Sequence, residues 1–150
     1  MASSARWVLA LALILALCGC TDLRDYDGAW TGGIVINPYL RLGFESDTRL
    51  TLAVDRIDRG SLSGRMTLGP PQAATAGFTD VPLVPIEQST NDVLGDLTFE
   101  GEPLATYLFW AMPDDPSEGH ALVIVSAHPK RTLQVRILRR DLYGVFRLNR

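Results

Sequence analysis

Apolar and polar residues alternate along most of this chain, and that alternation constrains the fold more than any other feature. Leu50, Leu52 and Val54 alternate with Arg49, Thr51 and Asp55. Leu62, Met66 and Leu68 stand opposite Arg65, and Leu133, Val135 and Ile137 alternate with Gln134 and Arg136. A period of two is the pleat of a strand with one dry and one wet face. The pattern predicts strands over residues 30–36, 48–55, 61–68, 93–99, 132–139 and 143–148, with 39–44 a short strand or a folded loop. Residues 104–112 and 120–127 form a further hairpin around a polar turn. Asp58-Arg59-Gly60 supplies the turn between the strands at 48–55 and 61–68. Residues 81–88 carry Pro82 and Pro85, which cannot donate to a ladder, so this stretch is expected at an edge or as an extended connection. Gly64 is expected to weaken its strand or mark a bulge.

Eight or nine short strands without a long amphipathic helix predict an all-β fold. The architecture is an antiparallel barrel or, alternatively, a two-sheet β-sandwich. Residues 107–112 and 121–125 are apolar on both faces. A half-solvated strand would alternate, so both faces of this hairpin are expected to be covered.

The first twenty residues are of a different kind. A basic start with Arg6 leads into an apolar run of about eleven residues, the length of a signal h-region and short of the roughly 18 needed for a membrane span. The run ends Leu17-Cys18-Gly19-Cys20. This segment resembles the signal peptide and lipobox of bacterial lipoproteins. The resemblance implies cleavage before Cys20 and acylation of that cysteine, by palmitate or a similar chain. It implies a leader at 1–19, a lipidated tether at 20–27 and one all-β domain at 28–150. Thr21, not an acidic residue, follows the cysteine, which favours the outer membrane where a cell has two. With Cys18 lost and Cys20 lipidated, the domain has no disulfide and must rest on its packed core.

Gly28-Ala29-Trp30 resembles the Gly-x-Trp start of the first strand in lipocalins and their calycin relatives. That resemblance implies a calycin-like barrel in which Trp30 closes one end. It also implies that an arginine of the last strand, Arg147, packs over the ring as a structural partner. The mouth of such a barrel would hold a small apolar ligand.

Candidate chemistry is sparse. Asp114, Asp115, Glu118 and His120 crowd one hairpin loop, without the ligand spacing of a cation loop. His120 and His128 flank one strand at opposite ends, too far apart to share a metal. Ser126 and His128 lack an oriented acid and an oxyanion loop. Lys130, Arg131, Arg136, Arg139 and Arg140 form a basic stretch suited to a wet face or to anionic headgroups. Tyr107, Phe109 and Trp110 are candidates for ligand or partner contact, or for the core. The net charge of -3 with no dominant basic face argues against nucleic acid. No catalytic residue, metal site or cofactor is assigned, and the chain is read as no enzyme. The expected function is a lipid-anchored cell-envelope module that binds a small apolar ligand. The alternative is an envelope scaffold that binds another protein through the apolar hairpin; a hydrolase is a third, weaker reading.

Overall fold

The structure is a computed structural model and describes residues 22–35, 37–70, 75, 77–86, 101–113, 115, 117 and 119–150. The expected leader at 1–19, Cys20, residues 93–99, Asp114 and Glu118 lie outside the described residues. Among the described residues, nine strands follow a short 3-10 helix, η1 (Leu23–Tyr26). They are β1 (Gly28–Ile34), β2 (Arg41–Leu42), β3 (Arg49–Ile57), β4 (Leu62–Gly69), β5 (Val81–Pro85), β6 (Ala105–Ala111), β7 (Ala121–His128), β8 (Thr132–Arg139) and β9 (Leu142–Asn149). A second 3-10 turn, Pro38–Leu40, precedes β2.

The strands pair in the order β1-β3-β4-β5-β6-β7-β8-β9, every pair antiparallel. β1 then pairs with β9, Thr31 opposite Asn149 and Ile34 opposite Phe146, so the sheet closes on itself. The result is an eight-stranded antiparallel barrel of calycin-like form, not a two-sheet sandwich. β2 adds to the edge of β9 beyond the end of β1. Closure leaves few free edges.

The alternation read from the sequence matches the burial on β3 and β4, whereas on β8 the outward Gln134 and Arg136, expected on a wet face, are buried as well. Leu50, Leu52, Val54, Leu62, Met66, Leu133, Val135 and Ile137 all point inward and are buried. The β3–β4 hairpin is bulged, but the extra residue is on β3: Val54 pairs with Gly64 and Arg56 with Ser63, leaving Asp55 over. Gly64 sits opposite because a Cβ there would lie 2.4 Å from the Ala53 carbonyl oxygen. Gly32 is tighter still. A Cβ would fall 1.8 Å from the Arg147 carbonyl oxygen, where β1 is held between β3 and β9.

Two sequence expectations are corrected. β5 is no edge: it lies between β4 and β6. Its prolines shorten the ladders instead, to two paired positions on β4 and three on β6. The tether also ends earlier than expected. From Asp22 on, the chain is folded onto the barrel, with Leu23 and Tyr26 buried one 3-10 turn apart.

Candidate functional site

The lower end of the barrel is closed by Trp30. Its ring is buried and stacks on Tyr26 at 5.5 Å between centroids. The indole Nε1–H donates to the Tyr26 carbonyl oxygen at 2.7 Å. The Tyr26 hydroxyl donates to the His128 carbonyl oxygen. Burial raises the Tyr26 pKa above its ordinary value, so the hydroxyl stays a donor. Asp27 accepts the Ile57 N–H at 3.0 Å, and Asp25 pairs with Arg131 at 3.1 Å. These contacts fasten η1 across the barrel floor, against the end of β3 and the β7–β8 turn.

The cation over Trp30 is Arg150, not Arg147. The Arg150 guanidinium carbon lies 5.4 Å from the ring centroid, and its Nη2 also donates to the Asp27 carbonyl. Register gives the reason. Thr31 pairs with Asn149, so the next pair along would be Trp30 with position 150, both on the lumen side. Arg147 is an odd number of residues from Arg150 and therefore faces out, where it is exposed. The sequence carried this signal: Arg147 lies between Phe146 and Leu148, both of which point inward and are buried.

The upper end is plugged by two aromatic residues from loops. Phe44 packs edge-on against Phe146 at 5.6 Å. Phe78 is buried, with the Arg139 guanidinium 5.6 Å from its centroid. Between the ends, Trp30, Leu52, Met66, Phe109, Ile137 and Phe146 are each at 0 or 1 % exposure. A water-sized void beside any of them would expose part of its surface. The lumen around these side chains is therefore packed, and burial of each contributes about 1.5–3 kcal/mol to folding.

Two cavities bounded by described residues lie at the barrel's lower rim. One of about 500 Å³ opens beside Leu23, Ile57, Asp58 and Leu104. The other, about 100 Å³, is in the seam where β4 and β5 diverge, between Leu62, Pro85 and Tyr107. Tyr107 bridges this corner by donating its hydroxyl to the Asp58 carbonyl oxygen. Burial, with the Asp58 charge nearby, pushes its pKa up to about 12. The Asp58 carboxylate is held below its usual range by the N–H groups of Gly60 and Ser61.

The three aromatic candidates of β6 do not form one site. Tyr107 and Phe109 point into the lumen, and Trp110 points outward at 42 % exposure. Ser126 and His128 share the outer face of β7, where burial lowers the His128 pKa. His120 lies at the far end of that strand beside Trp110, at 6.4 Å between rings. Among the described residues no three His, Cys, Asp or Glu side chains gather to hold a metal ion. The basic stretch is dispersed: Arg131 on Asp25, Arg136 buried, Arg139 on Phe78 and Asp141.

The outer face of the hairpin is the most distinctive surface. Successive registers place Val84 beside Trp110, Trp110 beside Leu122, Leu122 beside Leu138, Leu138 beside Tyr143, and Tyr143 beside Leu42. One apolar or aromatic side chain per strand thus runs outward across six strands. Val84 and Leu42 are exposed by 38 % and 63 %, while Leu122, Leu138 and Tyr143 are half-buried. Below this row, Ile124, Arg136 and Val145 face outward and are buried. Comparison with family models, curated proteins and solved structures found no match.

Proposed function

We propose that this chain is a lipid-anchored, non-enzymatic protein of the cell envelope, held through Cys20, whose barrel is a solid scaffold that docks through its outer surface. The packed lumen is the observation that carries this reading. A carrier of small apolar molecules needs a cavity lined from several strands, commonly about 300 Å³ or more. Here the described lumen positions are occupied by the protein's own side chains, with Phe44 and Phe78 over one end and Trp30 over the other, and the cavity of about 500 Å³ lies at the rim, bordered by the charged residues Asp22, Arg24, Asp58 and Arg59. Ligand entry would require those side chains to leave, at a cost comparable to unmaking the core. The apolar row outside the hairpin supports docking, since contiguous exposed apolar surface marks interaction sites.

A fluorescent polyene fatty acid, cis-parinaric acid, tests this on the purified protein. The expected result is no saturable binding and unchanged Trp30 emission in Trp110→Phe protein. One-to-one binding with energy transfer from Trp30 would restore the carrier reading and overturn the scaffold.

A further inference from the structure

We propose that the cavity of about 500 Å³ at the lower rim holds the zwitterionic head of an amine-bearing phospholipid, with its phosphate on Arg24 and Arg59 and its ammonium on Asp22. This goes beyond the scaffold reading and rests on acylation of Cys20. Three observations meet in this cavity.

The first is how its walls are built. η1 and its cap supply Asp22, Leu23 and Arg24, the end of β3 and its turn supply Ile57, Asp58 and Arg59, and Leu104 leads into β6. Backbone bonds fix each segment. The Asp25 N–H donates to the Asp22 carbonyl at 3.0 Å, the Asp58 N–H to the Ser61 carbonyl at 2.9 Å, and the Leu104 N–H to the Ala127 carbonyl at 2.7 Å. Leu23 and Ile57 are buried and Leu104 is partly exposed, so the cavity has an apolar side. Its volume falls within the roughly 300–1,000 Å³ of small-molecule sites.

The second is charge. Arg24 and Arg59 are exposed, and neither guanidinium makes a hydrogen bond or ion pair with another residue. Arg65, Arg131 and Arg139, by contrast, are already held by carboxylates. The Asp58 carboxylate is committed: its Oδ1 accepts the N–H groups of Gly60 and Ser61, and its Oδ2 lies 3.5 Å from Arg56. Asp22 accepts the Arg24 N–H on Oδ1 at 3.1 Å, and its Oδ2 has no partner among the described residues. Two guanidiniums and one carboxylate oxygen therefore stand ready. A phosphate with an ammonium beside it satisfies both signs, whereas a purely anionic ligand would meet Asp22 and a purely cationic one would meet both arginines. Among the described residues no aromatic ring borders the cavity. It thus lacks the cage that takes a quaternary ammonium, and a primary ammonium that donates hydrogen bonds is the fit.

The third is place. Cys20 precedes Asp22 by two residues, a span of at most about 7 Å. The acyl chains enter the bilayer within that reach of the cavity wall. The tether holds the cavity at headgroup level and raises the local concentration of lipid heads.

The experiment takes the mature, acylated protein in detergent micelles doped equally with phosphatidylethanolamine, phosphatidylglycerol and phosphatidylcholine. Native mass spectrometry strips the micelle, reads the lipids that remain bound and confirms the acyl group on the same sample. The expected result is a single phosphatidylethanolamine adduct that outweighs the other two lipids. Arg24→Gln with Arg59→Gln is expected to lower it about tenfold or more, the loss of charge-assisted bonds to phosphate, with the far-UV circular dichroism of the barrel unchanged. Asp22→Asn keeps the cap acceptor and is expected to abolish the preference over phosphatidylglycerol. Arg49→Gln, on the outer face of β3, is expected to leave the adduct intact; an equal loss there would mean diffuse attraction and overturn the site. Free phosphoethanolamine in large excess is expected not to displace the lipid; displacement would assign the cavity to a soluble zwitterion and overturn the lipid occupant. Adducts without headgroup preference, or adducts that survive loss of both arginines, would overturn the proposal and leave the anchor standing. A mature mass without an acyl group refutes the anchor itself, and the headgroup site falls with it.

Discussion

Exchanging Trp30 for Phe and Arg150 for Gln, singly and together, interrogates the floor of the barrel. Trp30→Phe removes the indole bond to the Tyr26 carbonyl, a loss of about 1 kcal/mol, along with part of a buried ring. Arg150→Gln removes the donor to the Asp27 carbonyl. Both losses cancel in a double-mutant cycle, which leaves the direct interaction between ring and guanidinium. At 5.4 Å from the centroid the geometry is within cation–π range, but Arg150 is exposed to water on its outer side. The coupling should therefore lie toward the weaker end, about 0.5–1 kcal/mol. Urea unfolding followed by far-UV circular dichroism measures it, provided the m-value is unchanged. The same cycle with Arg147→Gln should give less than about 0.3 kcal/mol, because Arg147 points out of the barrel. Zero coupling for Arg150, or equal coupling for Arg147, would refute the β1–β9 register on which closure depends.

Other outcomes follow from the same packing. Leu52→Ala should destabilise the domain by about 2–5 kcal/mol in the same urea assay; a loss below about 0.5 kcal/mol would place Leu52 outside the core. Gly32→Ala should cost at least about 3 kcal/mol, since the clash is with backbone and no rotamer relieves it; normal stability would mean β1 is not held between two strands. Tyr107 should make the barrel alkali-sensitive. Its folded pKa of about 12 lies above the ordinary 10, so the folded state binds the proton more tightly. That stability is complete below pH 10 and lost as pH rises toward 12. Tyr107→Phe should flatten the decline, and an unchanged alkaline slope would contradict the buried hydroxyl.

The barrel wall was legible because it separates a dry lumen from water, and residues such as Leu50, Leu52 and Val54 report that boundary with period two. The hairpin β6–β7 was legible as unusual, since Trp110 and Leu122 are apolar on the side that should be wet. Three features were harder to read. Phe44 and Phe78 plug the upper end from loops, where no periodicity marks an aromatic residue as buried. Leu23 and Tyr26 dock on a single 3-10 turn, too short for a helical pattern to stand out from a tether. The partner of Trp30 depended on strand parity at the chain end, where the flanking Phe146 and Leu148 were the available guide. β5 defied its prolines because a strand inside a closed sheet can keep two short ladders when the unpaired positions fall at the seam.

The most direct test of a membrane-anchored envelope protein is the intact mass of the chain purified from the membrane fraction of its native host. The expected species begins at Cys20 and carries a diacylglyceryl group, with or without a further acyl chain on the amine. A mature chain that begins elsewhere and carries no lipid, recovered from the soluble fraction, would contradict the anchor and with it the assignment to the envelope surface.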